Sequence, residues 1–198
     1  MALISARGVS IERGDRRLLE GVGLVVEPGH LWQLLGPNGV GKSSLLRALA
    51  GVTKLGVGGE IVREARMLYL GHAAAIKRAL NPVDNLLYHP ASDAGLARET
   101  VEEALARVNL AGYEAVSVGA LSAGQQRRVG LARLVLSQAQ LWILDEPFTA
   151  LDTAGCQWLE ALIREHVSAG GAVIFTSHQA SPFGASQQQL DLMHHVVA

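Results

Sequence analysis

The sequence is short of cysteine, of net charge and of extended apolar stretches, and each shortage excludes something. A single cysteine, Cys156, leaves no intramolecular disulfide to be made, so a core must hold the fold. The formal net charge of −1 gives no basic field of the kind that holds nucleic acid or anionic lipid, and no nucleic-acid partner is expected. No apolar stretch approaches the ~20 residues needed to cross a bilayer. Direct membrane insertion is therefore not expected, and at a membrane another chain must supply the span. The opening stretch MALISARGVSIERGDRR lacks the apolar segment of a signal peptide, which with the one cysteine fits a reducing, cytoplasmic setting. There is no internal repeat, low-complexity tract or long linker, so the 198 residues, 49% of them hydrophobic, are expected to form one domain around one core.

What is present is an alternation of short β-like runs with helical patterns, which predicts an α/β fold. Leu31 to Leu35, Leu141 to Leu144 and Ala172 to Thr176 are nearly continuous apolar runs, as buried parallel strands are. The segment up to about residue 30 mixes short alternating runs, Ala2 to Ser5 and Leu24 to Val26, with turn residues such as Arg13-Gly14-Asp15 and Glu27-Pro28-Gly29. It predicts an antiparallel β lobe. From about 75 to 135 the pattern is helical, with Asn81 before Pro82 and Asp84 as a helix start, and Leu96, Val101, Ala104, Leu105 and Val108 at helical spacing. The tail from Ser181, rich in Gln and His, gives no clear pattern.

Three motifs carry chemistry. Gly36-Pro37-Asn38-Gly39-Val40-Gly41-Lys42-Ser43, followed by Ser44, is a G-x-x-x-x-G-K-S phosphate loop between a strand and a helix. Its glycines let the backbone wrap an anion. Lys42 is expected to reach the β- and γ-phosphates, and the Ser43 hydroxyl to bind Mg²⁺. Leu141-Trp142-Ile143-Leu144-Asp145-Glu146 is an apolar strand ending in two carboxylates, which strand alternation sends in different directions. Asp145 is then suited to orienting Mg²⁺ through its water shell, and Glu146 to poising the attacking water as a general base. Leu121-Ser122-Ala123-Gly124-Gln125-Gln126-Arg127-Arg128 places Ser122 as a helix cap, with Gly124 keeping the first turn open, so this helix start is a second candidate anion site.

Together these motifs resemble ABC ATPases, the third of them their LSGGQ signature with Ala123 in place of the first glycine. The resemblance covers almost the whole chain. It implies a P-loop NTPase fold with a mainly parallel core sheet, an N-terminal antiparallel β lobe and a helical lobe, together forming a single domain over residues 1–198. It also implies Mg-dependent ATP hydrolysis by a head-to-tail pair of copies, in which Ser122, Gly124 and Gln125 of one chain close on the γ-phosphate held by the other. By the same resemblance Ala150-Leu151-Asp152 is the loop crossing the dimer seam, and His178, in Thr176-Ser177-His178, contacts the γ-phosphate and links Glu146 to the second copy. There are two departures from the family pattern. Arg13, in Glu12-Arg13-Gly14, stands where an aromatic residue usually stacks on adenine, and a guanidinium plane can stack too. His72, in Tyr69-Leu70-Gly71-His72, replaces a glutamine that contacts metal-bound water or the γ-phosphate; an imidazole nitrogen can do the same when neutral.

The stretch Tyr69 to His72 with Ile76-Lys77, the signature segment, and Leu141 to Ala150 resemble the ATP-binding subunits of bacterial cytochrome c biogenesis (CcmA type), described as haem exporters. That implies integral membrane subunits as partners, a peripheral place on the cytoplasmic face of the inner membrane, and ATP energy used to move haem or to release a haem-loaded carrier. Another small ABC exporter would share every catalytic residue. It would differ on the surface from Ala73 to His89, where a membrane subunit would dock. A soluble ABC protein of DNA repair or translation would need a coiled-coil insertion, a second nucleotide domain or a basic face, none of which is present.

Overall fold

The computed structural model describes residues 1–90, 95–177 and 182–197. They fall into two compact units. One comprises Met1–Tyr69, Ala139–Pro147 and Leu159–Ala198, and the other Leu70–Gln138 and Phe148–Trp158.

The first unit contains both sheets. Strands β1 (Ile4–Arg13) and β2 (Arg16–Val26) form the expected antiparallel pair and are joined by β4 (Val57–Arg63) in the order β2-β1-β4. In β2 buried and exposed side chains largely alternate, as they do in a strand with one face on a core. The register of β1 against β4 shifts between Arg7 and Ser10. There Gly59, at φ 80°, lies so close to Gly8 that a Cβ would sit 2.5 Å from the Gly8 carbonyl oxygen. Only glycine fits that crossing.

The second sheet has the order β5-β6-β7-β3-β8, with β3 (Leu31–Leu35), β5 (Met67–Leu70), β6 (Leu141–Leu144), β7 (Ala172–Thr176) and β8 (Gln188–Asp191). The pairs β6·β7, β7·β3 and β3·β8 are parallel. Every residue of β6 and β7 is buried, which is why both read as uninterrupted apolar runs. The tail supplies the edge strand β8, whose Gln188 and Gln189 are exposed; just before it, Gln187 Nε2 donates to Oε1 of buried Gln33 at 2.9 Å. Helix α1 (Lys42–Leu49) buries Leu45, Leu46, Ala48 and Leu49 in the same cluster as Leu34, Leu141, Ile143 and Ile174. Its C-terminal carbonyls are closed by Arg63 of β4, which donates to Leu49 O at 2.8 Å and to Ala48 O, a cation at the negative end of a helix. Helix α5 (Thr153–Ser168) lies in sequence between β6 and β7, so β6-α5-β7 is a parallel crossover.

The second unit holds α2 (Pro82–Leu87), α3 (Arg98–Arg107) and α4 (Ala123–Leu136). Asn81 caps α2 by accepting from the Asp84 N–H at 2.8 Å. Buried Asn85 then ties the preceding loop to the helix, donating to the Lys77 and Asn81 carbonyls at 3.0 and 2.9 Å and accepting from the Lys77 N–H. Ser122 and Gln125 form a reciprocal capping box on α4. Val83, Leu86, Val101, Leu105, Val129 and Ala132 pack into a cluster of this unit's own. Each unit thus has its own buried cluster, where the lack of a linker had suggested a single shared core.

Leu105 is fully buried and Leu55 is 92% exposed. Leu105→Ala should therefore destabilise by about 2–5 kcal/mol and Leu55→Ala by less than about 0.5 kcal/mol, read from urea midpoints. Equal midpoints for the two variants would place Leu105 outside the packed core.

Candidate functional site

The phosphate loop connects β3 to α1, and its conformation depends on glycine. Gly36, Gly39 and Gly41 have φ of 136°, 80° and 117°. A Cβ on Gly36 would lie 2.9 Å from Val40 Cγ1, and one on Gly41 3.1 Å from Leu19 Cδ1, so the loop is closely lined as well as left-handed. Lys42 opens α1 and folds back over the loop, its Nζ donating to the Gly36 and Pro37 carbonyls at 2.6 and 3.1 Å. Its side chain is buried, so the ammonium is presented to the concavity of the loop with little water to screen it. Ser43 and Ser44 follow it in the first helical turn and are half-buried.

The two carboxylates stand at the end of β6. The strand stops at Leu144, so strand alternation does not set their directions as expected; a left-handed turn does. Glu146 has φ 50°, a conformation that costs a non-glycine residue about 1–2 kcal/mol. Asp145 is buried at 1% exposure and Glu146 is only partly covered. Thr176, fully buried at the end of β7, joins them: its hydroxyl donates to Asp145 Oδ1 at 2.9 Å and accepts from the Glu146 N–H at 2.9 Å. Nothing in the sequence points to this contact, since a threonine ending an apolar strand reads as a packing residue.

A cavity of about 480 Å³ opens beside the loop helix, lined by Arg13, Ser44, Arg47, Thr53, Leu55 and Val57 among others. That is a size suited to a small-molecule ligand. It brings Arg13 and Ser44, far apart in sequence, onto one surface with Arg47. The carboxylate of Glu12, also on its wall, is paired with Arg17 at 2.8 Å, so the two lining arginines favour an anionic ligand. Among the described residues no aromatic side chain lines it; the apolar contribution comes from Ile11, Leu55 and Val57.

In the second unit the capping box fixes Ser122, Gly124 and Gln125 at the start of α4. A Cβ on Gly124 would lie 3.1 Å from the Ala150 carbonyl oxygen, so glycine allows that loop to approach the helix start. Asp152 accepts from the Gly155 N–H at 2.9 Å and from Arg128 at 2.6 Å, and the Gly155 bond, helped by the Arg128 charge, holds its carboxyl below the usual range. His72 is exposed, on a segment whose backbone is braced by α4. Arg127 donates to the Gly71 and His72 carbonyls at 3.1 and 3.2 Å, and Arg133 to the Ala74 carbonyl. Ile76, from the proposed docking surface, packs against the helical cluster, and Leu80 is half-buried, while Lys77, Arg78 and Tyr88 are exposed. His178 lies outside the described residues.

Among the described residues no three His, Cys, Asp or Glu side chains converge on a metal position. A hydroxyl from Ser43 and a buried carboxylate from Asp145 are hard oxygen donors that suit Mg²⁺, an ion that keeps several waters and phosphate oxygens as its other ligands.

Arg133 also contacts His89 Nε2 at 2.7 Å. Burial, and then the Arg133 charge, push His89 down to about 4 from 6.5, so the neutral ring accepts this bond. Because the folded-state value is depressed, this bond's contribution to stability is complete above pH 6.5 and fades as pH falls toward 4. Unfolding midpoints measured across that window should fall more steeply for the wild type than for His89→Gln, which keeps an acceptor that does not titrate. Parallel profiles would contradict the assignment.

The comparisons with known proteins agree with this geometry. Residues 19–149 match the ABC transporter family. The chain is 42% identical to the cytochrome c biogenesis ATP-binding export protein CcmA of Hahella chejuensis, across 96% of this chain and 95% of that protein. It is 41% identical to the protein of the same name from Methylococcus capsulatus, covering 96% and 98% of the two chains, and 44% identical to that of Salmonella typhi, covering 92% and 93%. Among solved structures, an ATP-binding ABC transporter protein of Pyrococcus furiosus superposes with a TM-score of 0.80 at 23% identity, over 98% of this chain and 99% of that one. A metal-chelate type ABC transporter in an inward-facing conformation gives 0.79 at 24% identity, over 97% and 80%. These last two speak for the fold. Nucleotide binding and hydrolysis of ATP go with that family, and the chain belongs to it, within the group of ABC transporter ATPases that includes the cytochrome c biogenesis ATP-binding export proteins.

Proposed function

We propose that this chain is the ATP-hydrolysing motor of a membrane complex that exports haem, or frees a haem-loaded carrier, during cytochrome c maturation. The observation that carries the reading is identity above 40% to export proteins of that name along nearly the full length of both chains. No helix of the described residues is long and apolar enough to cross a membrane, so the attachment proposed is to integral membrane subunits, at the cytoplasmic face of the bacterial inner membrane. The loop and helix from Ala73 to His89, with Lys77, Arg78 and Tyr88 exposed, are the part proposed to meet them.

In the proposed reaction the backbone N–H groups of Asn38 to Ser44 and the Lys42 ammonium hold the β- and γ-phosphates within the loop from Gly36, and Arg13 faces the base and ribose. Mg²⁺, when bound, would neutralise phosphate charge; Ser43 would hold it directly, Asp145 through its water shell, and His72 would meet its hydration shell or the γ-phosphate. Glu146 takes a proton from water as the water oxygen bonds to the γ-phosphorus. The bond to the β–γ bridging oxygen breaks, and that oxygen leaves with ADP. The start of α4, with Ser122, Gly124 and Gln125, is proposed to close on the nucleotide of a second copy in a head-to-tail pair. His178 is proposed to contact the γ-phosphate.

Two measurements test this. Lys42→Ala should weaken ATP binding and lower turnover by about 100-fold or more while the protein remains folded, because a cation on the transferred group is lost. Wild-type turnover would overturn the site. Purification from detergent-solubilised membranes should bring down small integral membrane subunits together with this chain. Recovery of the chain with no membrane subunit, or with those of an unrelated exporter, would overturn the cytochrome c role.

A further inference from the structure

We propose that Thr176 is a positioning residue for hydrolysis, its one hydroxyl setting both the metal-facing carboxylate of Asp145 and the left-handed turn that aims Glu146. The inference rests on the reading of Glu146 as the group that takes the proton from water.

The remaining residues of β7, Ala172, Val173, Ile174 and Phe175, are apolar and buried, as befits an interior strand. Thr176 is also buried, at 0% exposure, and a hydroxyl in that position is unfavourable unless its hydrogen-bonding capacity is used. It is used twice, and the chemistry fixes the polarity of both bonds. The Glu146 backbone N–H can only donate, so Thr176 Oγ1 gives it a lone pair at 2.9 Å. The single hydroxyl proton is then directed to Asp145 Oδ1, which accepts it, also at 2.9 Å. The parallel register places the donor correctly: Leu144 stands opposite Phe175, so the next residues along, Asp145 and Thr176, emerge together at the same sheet edge.

The second bond acts on backbone. Glu146 has φ 50°, in the region that disfavours side chains, and a turn of this kind persists only where its surroundings hold it. The Thr176 hydroxyl is one such hold, applied at the N–H that starts the turn. Loss of that hold would leave the phosphate loop intact and let the Glu146 carboxylate drift from the line of attack. A small misplacement of that kind lowers chemistry far more than it lowers ATP binding.

Valine matches threonine in shape but withdraws both hydrogen bonds, whereas serine keeps the hydroxyl and loses a buried methyl. In the full-length protein, Thr176→Val should lower kcat by about 10- to 100-fold with the ATP Kd changed by less than about threefold. Thr176→Ser should keep kcat within about threefold of wild type despite a lower Tm, the reverse of what a packing role would give. Thr176→Ala, a second hydroxyl-free variant, should follow valine and serves if the valine protein does not fold. When Glu146→Gln is already present, Thr176→Val should cause little further loss, because the group it positions is gone. Wild-type kcat in the hydroxyl-free variants would overturn the proposal. So would a loss in Thr176→Ser equal to theirs, or a loss that simply multiplies with that of Glu146→Gln. Wild-type turnover in Glu146→Gln alone would remove the base reading, and the positioning role with it, a failure visible without any Thr176 variant.

Discussion

Polar and charged groups held at the ends of fully buried strands are the constraint on which the rest of the first unit depends. β6 and β7 have no exposed face, so whatever leaves their ends must be hydrogen-bonded or charged toward a ligand. Lys42, Asp145 and Thr176 are all buried, and each has polar partners: the ammonium on loop carbonyls, the hydroxyl between a carboxylate and a backbone N–H. The low-dielectric surroundings make each of these interactions stronger than it would be in water. The same surroundings make the arrangement intolerant of a missing partner, which is why one threonine can matter to both acids.

The second unit applies similar physics to a different end. Two arginines of α4, Arg127 and Arg133, are buried, and both donate to backbone carbonyls of the segment from Gly71 to Ala74. A helix that begins with the signature serine therefore also braces the backbone around His72. Burial, and then the Arg127 charge, push Arg133 down to about 10. The capping box at Ser122 and the close approach of Ala150 to Gly124 fix the start of the same helix. One element thus carries the candidate anion site and the support of the loop proposed to sense the metal and meet a membrane subunit.

Much of this was legible in the sequence, for identifiable reasons. The three apolar runs at Leu31, Leu141 and Ala172 are strands within the bounds expected, because strands covered on both faces are apolar along most of their length. The phosphate loop and the Ser122 cap depend on local backbone geometry, which glycine and serine announce directly. β4 was not legible, because Val57-Gly58-Gly59-Glu60 reads as a turn until the Gly59–Gly8 crossing is known. β8 was hidden by its polar residues, whose place at a sheet edge is set by pairing with β3, a strand distant in sequence. The roles of Thr176, Arg127 and Arg133 were invisible for the same reason: each is defined by a partner far away in sequence. The direction of Glu146 was expected from strand alternation and is set instead by a left-handed turn.

Two tasks are separated within the proposed site: the glycine loop with Lys42 is proposed to hold the nucleotide, and the end of β6 to perform the chemistry. The measurement that tests this most directly is binding and fate of radiolabelled ATP on Glu146→Gln, which leaves every loop residue in place. The account predicts ATP retained at wild-type affinity and recovered unhydrolysed. Recovery of ADP at the wild-type rate, or loss of ATP binding in that variant, would contradict it.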